Sequence, residues 1–180
     1  MFNRTDKVPV WWHSYTPSYH ELFKDRREQI NKVLEIGIGS PATMPHVEGY
    51  KTGASLRMWR DYFINASVHG LDIAPETMIC EERITTSICN QKDISSLQAS
   101  KEFLGSGYDV IIDDGSHVPD DQLRSVSVFY ELLNPGGLYL IEDIRDLKTV
   151  LSGLKDYKTE TRVFGQIEEE DIIIIIRGRK

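Results

Sequence analysis

Apolar positions alternate between two patterns from residue 17 to about 150: repeats at helical spacing and short strand-like runs, separated by turn signals. Such alternation argues for a parallel sheet with helices on both faces. Residues 17–31 are predicted as a first helix, opening with Pro17 and Ser18 and carrying Tyr19, Leu22, Phe23 and Ile30. Lys32 to Ile36 is a buried strand with one acid, Glu35, and it stops at Gly37. From Pro41 to Gly53 no periodicity is visible, and a loop of that length in a small domain points to function. A second helix spans Ser55 to Phe63, with Leu56, Trp59, Tyr62 and Phe63 toward the core. Strands follow at Val68 to Ile73, Ile84 to Cys89 and Asp109 to Asp113.

Pro119 suits a helix start, and Leu123, Val126, Phe129 and Leu133 repeat at helical spacing up to the stop signal Asn134-Pro-Gly-Gly137. Leu138 to Asp143 is a fifth strand and Leu147 to Leu154 a short helix. Glu160 to Gln166 and Asp171 to Arg177 are predicted as two strands joined by the acidic turn at 167–170. The isoleucines at 172–176 cannot alternate in and out, so their strand is expected to be covered on both faces and to lie inside the sheet. The predicted fold is α/β: a Rossmann-like, doubly wound, mostly parallel sheet with a C-terminal antiparallel hairpin strand, residues 1–180 forming one domain.

Composition narrows the function. Charged residues are 27% of the chain, and no apolar run approaches the roughly 18 to 20 residues of a membrane span. The amino terminus has no signal-peptide pattern, so the expected location is the cytoplasm. Twenty-one basic against 28 acidic residues give a net charge of −7, which disfavours nucleic acid as a partner. Lys24, Arg26 and Arg27 are read as a solvated helix face. Cys80 and Cys89 match no zinc or redox spacing and read as free thiols. Trp11 and Trp12 suit an acceptor pocket or the interface of a homo-oligomer.

Gly37-Ile-Gly39-Ser-Pro-Ala42 follows a strand and satisfies the dinucleotide pattern G-x-G-x-x-A, which makes an NAD(P)-dependent oxidoreductase the first alternative. Pro41, however, introduces a loop where a pyrophosphate needs a helix amino terminus. Asp72 lies 33 residues beyond Gly39, against roughly 20 for the ribose acid of dinucleotide folds. Glu35 would repel phosphate, so a nucleoside without phosphates fits better. Here the chain resembles the class I S-adenosylmethionine methyltransferases. Glu35 to Gly39 is similar to their first motif, where Gly37 and Gly39 let the backbone approach the cofactor. Gly70-Leu-Asp72 is similar to the second, an ionised carboxylate being able to accept both hydroxyls of a ribose. The resemblance implies adenine contact after the third strand, with Gln91 and Asp93 as candidates, and Ser55 opens a helix either as its N-cap or by offering N–H groups to the cofactor carboxylate. A noncatalytic nucleoside-binding module is the second alternative.

Asp113-Asp114-Gly115-Ser116-His117 ends the fourth strand and Glu142-Asp143 the fifth, so a doubly wound sheet would bring these acids to one crevice. Converging carboxylates repel unless a cation or proton compensates, and oxygen ligands with open positions suit Mg²⁺ or another hard divalent ion. The expected ligands are Asp114, Glu142 and Asp143; Asp113, one residue earlier, faces the opposite way and is assigned to the cofactor side. His117 is the expected general base for a hydroxyl. The constellation resembles the metal-dependent sugar O-methyltransferases of macrolide tailoring, the mycinamicin and macrocin type, in which Asp-Gly-Ser-His supplies a ligand and the base and Glu-Asp two more ligands. Further similarity runs through Thr5-Asp-Lys7, His13, Tyr15, Tyr19 and Ser55 to Phe63. The implied reaction is methylation, by S-adenosylmethionine with a divalent metal, of a hydroxyl on a sugar or other vicinal-diol small molecule.

Overall fold

A computed structural model describes residues 15–45, 47–163 and 172–179. Lys7, Trp11, Trp12, His13, His46 and the turn at 167–170 lie outside the described residues. The chain forms helix α1 (Tyr15–Phe23), strand β1 (Lys32–Ile36), α2 (Ala54–Tyr62), β2 (Ser67–Asp72), β3 (Cys80–Glu81), β4 (Ile84–Ile88), α3 (Ile94–Leu104), β5 (Tyr108–Asp113), α4 (Pro119–Phe129), β6 (Leu133–Ile141), α5 (Leu147–Gly153), β7 (Thr159–Val163) and β8 (Ile172–Arg177). One sheet has the order β3-β4-β2-β1-β5-β6-β8-β7. The pairs among β4, β2, β1, β5 and β6 are parallel, and β8 runs antiparallel between β6 and β7.

Alternate side chains enter two cores, one on each face of the sheet. Ile111 and Ile174 join Phe129 and Tyr139 on one face; Val110, Ile112, Ile173 and Ile175 join Trp59 and Phe63 on the other. All five isoleucines of β8 are buried, as a strand apolar at successive positions requires. Each such side chain contributes roughly 1.5–3 kcal/mol of hydrophobic stabilisation.

The elements depart from the sequence prediction in several places, among them the short strand β3, which no pattern announces. The first helix ends at Phe23 instead of near residue 31, and residues 24–29 form turns, with Arg26 N–H bonded to the Phe23 carbonyl and Gln29 N–H to that of Arg26. Leu133, read as the last helical repeat, starts β6: it pairs with Tyr108, and three extra residues bulge out before Leu138 pairs with Val110. Asn134 to Gly137 therefore bend a strand, with Gly136 at φ +75°. Helix α3 has no counterpart in the sequence prediction, because Ser95, Ser96 and Ser100 dilute its apolar period; its signals are the Asp93 cap and Gly105 at φ +63° just past its end.

His69 on β2 lies between two β4 hydroxyls, Thr85 Oγ1 at 2.8 Å and Ser87 Oγ at 3.0 Å. Burial, with the Lys32 charge adding to it, lowers its pKa from 6.5 to about 4. The folded state thus holds a neutral ring where the unfolded chain takes a proton, and stability is lost as pH falls from about 6.5 towards about 4. The loss at the acid end is expected to reach about 2–3 kcal/mol, allowing for the ring's partial exposure. Urea titrations of the wild type and His69→Gln at pH 7.5 and 4.5 should show a markedly smaller difference in the variant; equal differences would assign the acid sensitivity to other groups.

Candidate active site

Strands β1, β2, β4, β5 and β6 end on one side of the sheet, where a cleft of about 550 Å³ opens, a volume in the range of small-molecule sites. Its floor is the turn after β1. Gly37 at φ +92° donates its N–H to the Leu71 carbonyl, and a Cβ there would stand 2.0 Å from the Asp114 backbone oxygen. Gly39 at φ +72° approaches the Tyr50 hydroxyl, whose proton goes to the Ile38 carbonyl at 2.8 Å. The N–H groups of Ile38 and Gly39 donate to Asp72 Oδ2 at 2.8 and 3.2 Å, and Ala74 N–H donates to Oδ1 at 2.9 Å. Asp72 is thereby anchored at the cleft edge. No helix follows the glycine turn; residues 41–43 form a turn and α2 begins only at Ala54.

Opposite this turn, Asp114, His117 and Asp143 converge. His117 Nε2 is 3.2 Å from Asp114 Oδ1 and 3.6 Å from Asp143 Oδ2. One ligand-capable atom from each of the three lies within 4.8 Å of the others, a grouping that can hold a metal ion. His117 and Asp143 sit at φ +55° and +51°, left-handed conformations that side chains disfavour, held here by the surrounding turns. Burial pulls the His117 pKa down, but the hydrogen bond and charge of Asp114 and the charge of Asp143 outweigh it and raise it above the ordinary value. Tyr15 Oη donates to Asp143 Oδ1 at 2.5 Å, and burial, with the charges of Asp143 and Glu142, keeps that phenol protonated.

Gly37, Gly39, Ser55, Asp72, Gln91, Asp114, His117 and Asp143, all predicted from sequence, line this one cleft. Four other predicted site residues do not line it, each for a visible reason. Glu35 is fully buried and accepts bonds from Ser55 Oγ at 2.7 Å and Trp59 Nε1 at 2.9 Å, so it braces α2 against β1. Asp93 caps α3 through the Ser95 N–H at 2.9 Å. Asp113 is buried behind the cleft, where its carboxylate accepts the Gln91 amide at 2.8 Å; burial raises its pKa to about 7, against the pull of that bond. Glu142 is buried and takes a hydrogen bond from Tyr19 Oη, outside the Asp114–His117–Asp143 grouping.

Gln91 is a scaffold as much as a cleft residue: Nε2 also donates to Ser125 Oγ at 3.0 Å, and Oε1 accepts the Ser116 N–H at 2.8 Å, which ties the turn after β5 to α4. Ser55 is not the N-cap of α2; Gly53 holds that position at φ +75° and Ser55 spends its proton on Glu35. Sequence reasoning missed Tyr50 and Arg145 in the cleft wall. Tyr50 sits in the aperiodic loop at 41–53, and Arg145 stands two residues beyond Asp143, so its position beside the strand-end acids is its only local signal.

No family model matches the chain. It is 36% identical over 152 residues to the 8-demethyl-8-alpha-L-rhamnosyl tetracenomycin-C 2'-O-methyltransferase of Streptomyces olivaceus, an alignment spanning 84% of this chain and 39% of that enzyme. Demethylmacrocin O-methyltransferase of Streptomyces fradiae is 38% identical over 139 residues, or 76% of this chain and 34% of the relative. Mycinamicin VI 2''-O-methyltransferase of Micromonospora griseorubida is 38% identical over 136 residues, or 73% and 32%. The chain thus spans 32% to 39% of the length of these curated relatives. Among solved structures, the MycE methyltransferase from the mycinamycin biosynthetic pathway, in complex with Mg and SAH, superposes with a TM-score of 0.75 at 28% identity, covering 97% of this chain and 52% of that one. The same protein with Mg, SAH and mycinamycin VI gives a TM-score of 0.74, also at 28% identity, covering 97% and 52%.

Proposed function

The chain belongs to the class I S-adenosylmethionine-dependent methyltransferases and resembles their metal-dependent sugar O-methyltransferases, and on that premise we propose that it methylates a hydroxyl of a sugar or other vicinal-diol small molecule. The observation that carries the reading is the meeting, in one cleft, of the glycine turn and Asp72 with the Asp114–His117–Asp143 cluster. Asp72 and the Gly37–Gly39 turn would hold the nucleoside and methionine parts of the co-substrate; S-adenosylmethionine supplies the methyl group. Asp114 and Asp143 would hold a divalent cation, with Glu142, adjacent in sequence, as the third expected ligand. The donor set fits: two carboxylates reach the cluster, and oxygen donors suit Mg²⁺. When bound, such an ion supplies a positive charge that stabilises a developing alkoxide.

His117 takes the acceptor hydroxyl proton at Nε2, the nitrogen facing Asp114 and Asp143. No covalent enzyme intermediate is required, so the chain's contribution is positioning and electrostatics. The net charge of −7 favours a small-molecule acceptor over nucleic acid. Among the described residues no helix is long and apolar enough to cross a membrane. Cys80 and Cys89 are free thiols, as suits the cytoplasm.

Calorimetric titration tests the reading. S-adenosylhomocysteine is expected to bind the chelator-treated protein with micromolar affinity and NAD not measurably, while methyl transfer to a panel of glycosylated acceptors should appear only after Mg²⁺ is restored. Binding of NAD in place of the nucleoside would return the glycine turn to the dinucleotide reading. Transfer that survives the chelator would remove the metal from the proposal, and nucleoside binding without transfer to any acceptor would favour the noncatalytic module.

A further inference from the structure

Tyr15 and Tyr19 stand four residues apart on α1 and so share a face of the helix. Both are buried, and each hydroxyl reaches one carboxylate just past the end of β6: Tyr15 Oη donates to Asp143 Oδ1 at 2.5 Å and Tyr19 Oη to Glu142 Oε1. The bond from Tyr15 divides Asp143 between two tasks. Oδ1 is turned to the helix, and Oδ2 is left facing His117 Nε2 at 3.6 Å, inside the cluster that can hold a cation.

The helix is fixed where it stands. Tyr19 meets the edge of Trp59 at 4.8 Å between ring centroids and stacks on Phe23 at 6.3 Å. Trp59 in turn donates its indole N–H to Glu35 at 2.9 Å. The brace behind the glycine turn and the carboxylates at the end of β6 are therefore joined through one aromatic block.

Building on the cation site proposed above, we propose that Tyr15 is a positioning residue for it: the phenol holds Oδ1 of Asp143 so that Oδ2 is presented to the ion, and α1 thereby forms part of the metal site. A carboxylate free to rotate loses that freedom when an ion binds; one already held does not. Hydrogen bonds to metal ligands act in this way, and their removal typically weakens metal affinity about 10–100-fold. Tyr19 donates to the neighbouring Glu142, whose buried carboxylate needs a donor, and so fixes the same end of β6 to α1.

The test is Mn²⁺ titration of the full chain, followed by the loss of the free-ion electron paramagnetic resonance signal, for the wild type, Tyr15→Phe, Asp143→Asn and the double variant. Tyr15→Phe keeps the packed ring and is expected to weaken Mn²⁺ about tenfold while leaving S-adenosylhomocysteine affinity unchanged. In the Asp143→Asn background the same change should alter Mn²⁺ affinity by less than about twofold. Unchanged Mn²⁺ affinity in Tyr15→Phe, an equal loss in both backgrounds, or a parallel loss of nucleoside binding would each overturn the positioning role, the last because a purely structural residue moves both sites. A wild type that does not bind Mn²⁺ would overturn the cation site itself, and is told apart because it fails before any variant is compared.

Discussion

His117→Ala is expected to lower turnover by about 10²–10⁴-fold, the contribution typical of a positioned general base, while S-adenosylhomocysteine affinity stays within about threefold of wild type. The asymmetry follows from geometry: Nε2 faces Asp114 and Asp143, whereas the Asp72 carboxylate is anchored by the N–H groups of Ile38, Gly39 and Ala74. Only the neutral ring can accept a proton, so wild-type kcat/KM should rise as pH passes upward through the His117 pKa, and the variant should lack that limb. The neighbouring carboxylates hold the ring's pKa above its ordinary value in the metal-free protein; a divalent cation between them cancels that pull, so the limb should lie lower with Mg²⁺ bound. Mg²⁺ affinity is the discriminating measurement. Retained affinity assigns His117 to proton transfer, and a loss beyond tenfold would make it a ligand, as its place among the three converging groups also permits.

Gly37→Ala should damage both halves of the site and the fold together. The residue sits at φ +92°, a conformation costing a side chain on the order of 1–3 kcal/mol. Its new Cβ would also stand 2.0 Å from the Asp114 backbone oxygen and 2.6 Å from the carbonyl carbon. Backbone cannot yield there, because Asp114 N–H is bonded to the Ile36 carbonyl at 2.9 Å and the two turns belong to the paired central strands β1 and β5. The expected result is a loss of more than about 3 kcal/mol of stability, with S-adenosylhomocysteine and Mg²⁺ binding both weakened. Gly49→Ala provides the control: φ is +70° but nothing lies within 4 Å, so only the backbone cost of about 1 kcal/mol should appear. Chemical denaturation with calorimetry on the two variants decides it, and similar behaviour would show that the close approach to Asp114 contributes nothing.

Much of this architecture is readable in the amino-acid order because local patterns carry it. Strand runs separated by helical repeats require parallel pairing with helices on both faces, and five isoleucines in a row demand cover on both sides. Glycines before and after Ile38 and an acid at the end of β2 mark the nucleoside end, and the Asp114 to His117 stretch marks the other. Helix α3 escaped because three serines interrupt its period, and Leu133 was misplaced because a helix stop and a strand bulge use the same residues, Asn, Pro and Gly.

Strand alternation already tells that Asp114 faces the cleft and Asp113 does not; what could not be read is that Glu142 stands apart from the cluster that Asp143 joins. Side-chain reversal along a strand separates Asp113 from Asp114, but Glu142 and Asp143 lie past the end of β6, beyond the reach of that rule, and both carboxylates meet hydroxyls of α1. The Gln91 amide behind Asp113 and the Tyr19 hydroxyl beside Glu142 hold those two carboxylates outside the cluster. Residue order along the chain settles the element types and the chemistry available at the strand ends, since both depend on neighbours within a few positions. The orientation of each carboxylate, and the recruitment of Tyr15 across 128 positions to Asp143, is decided by packing, because hydrogen bonds between distant residues exist only once the helices have closed on the sheet.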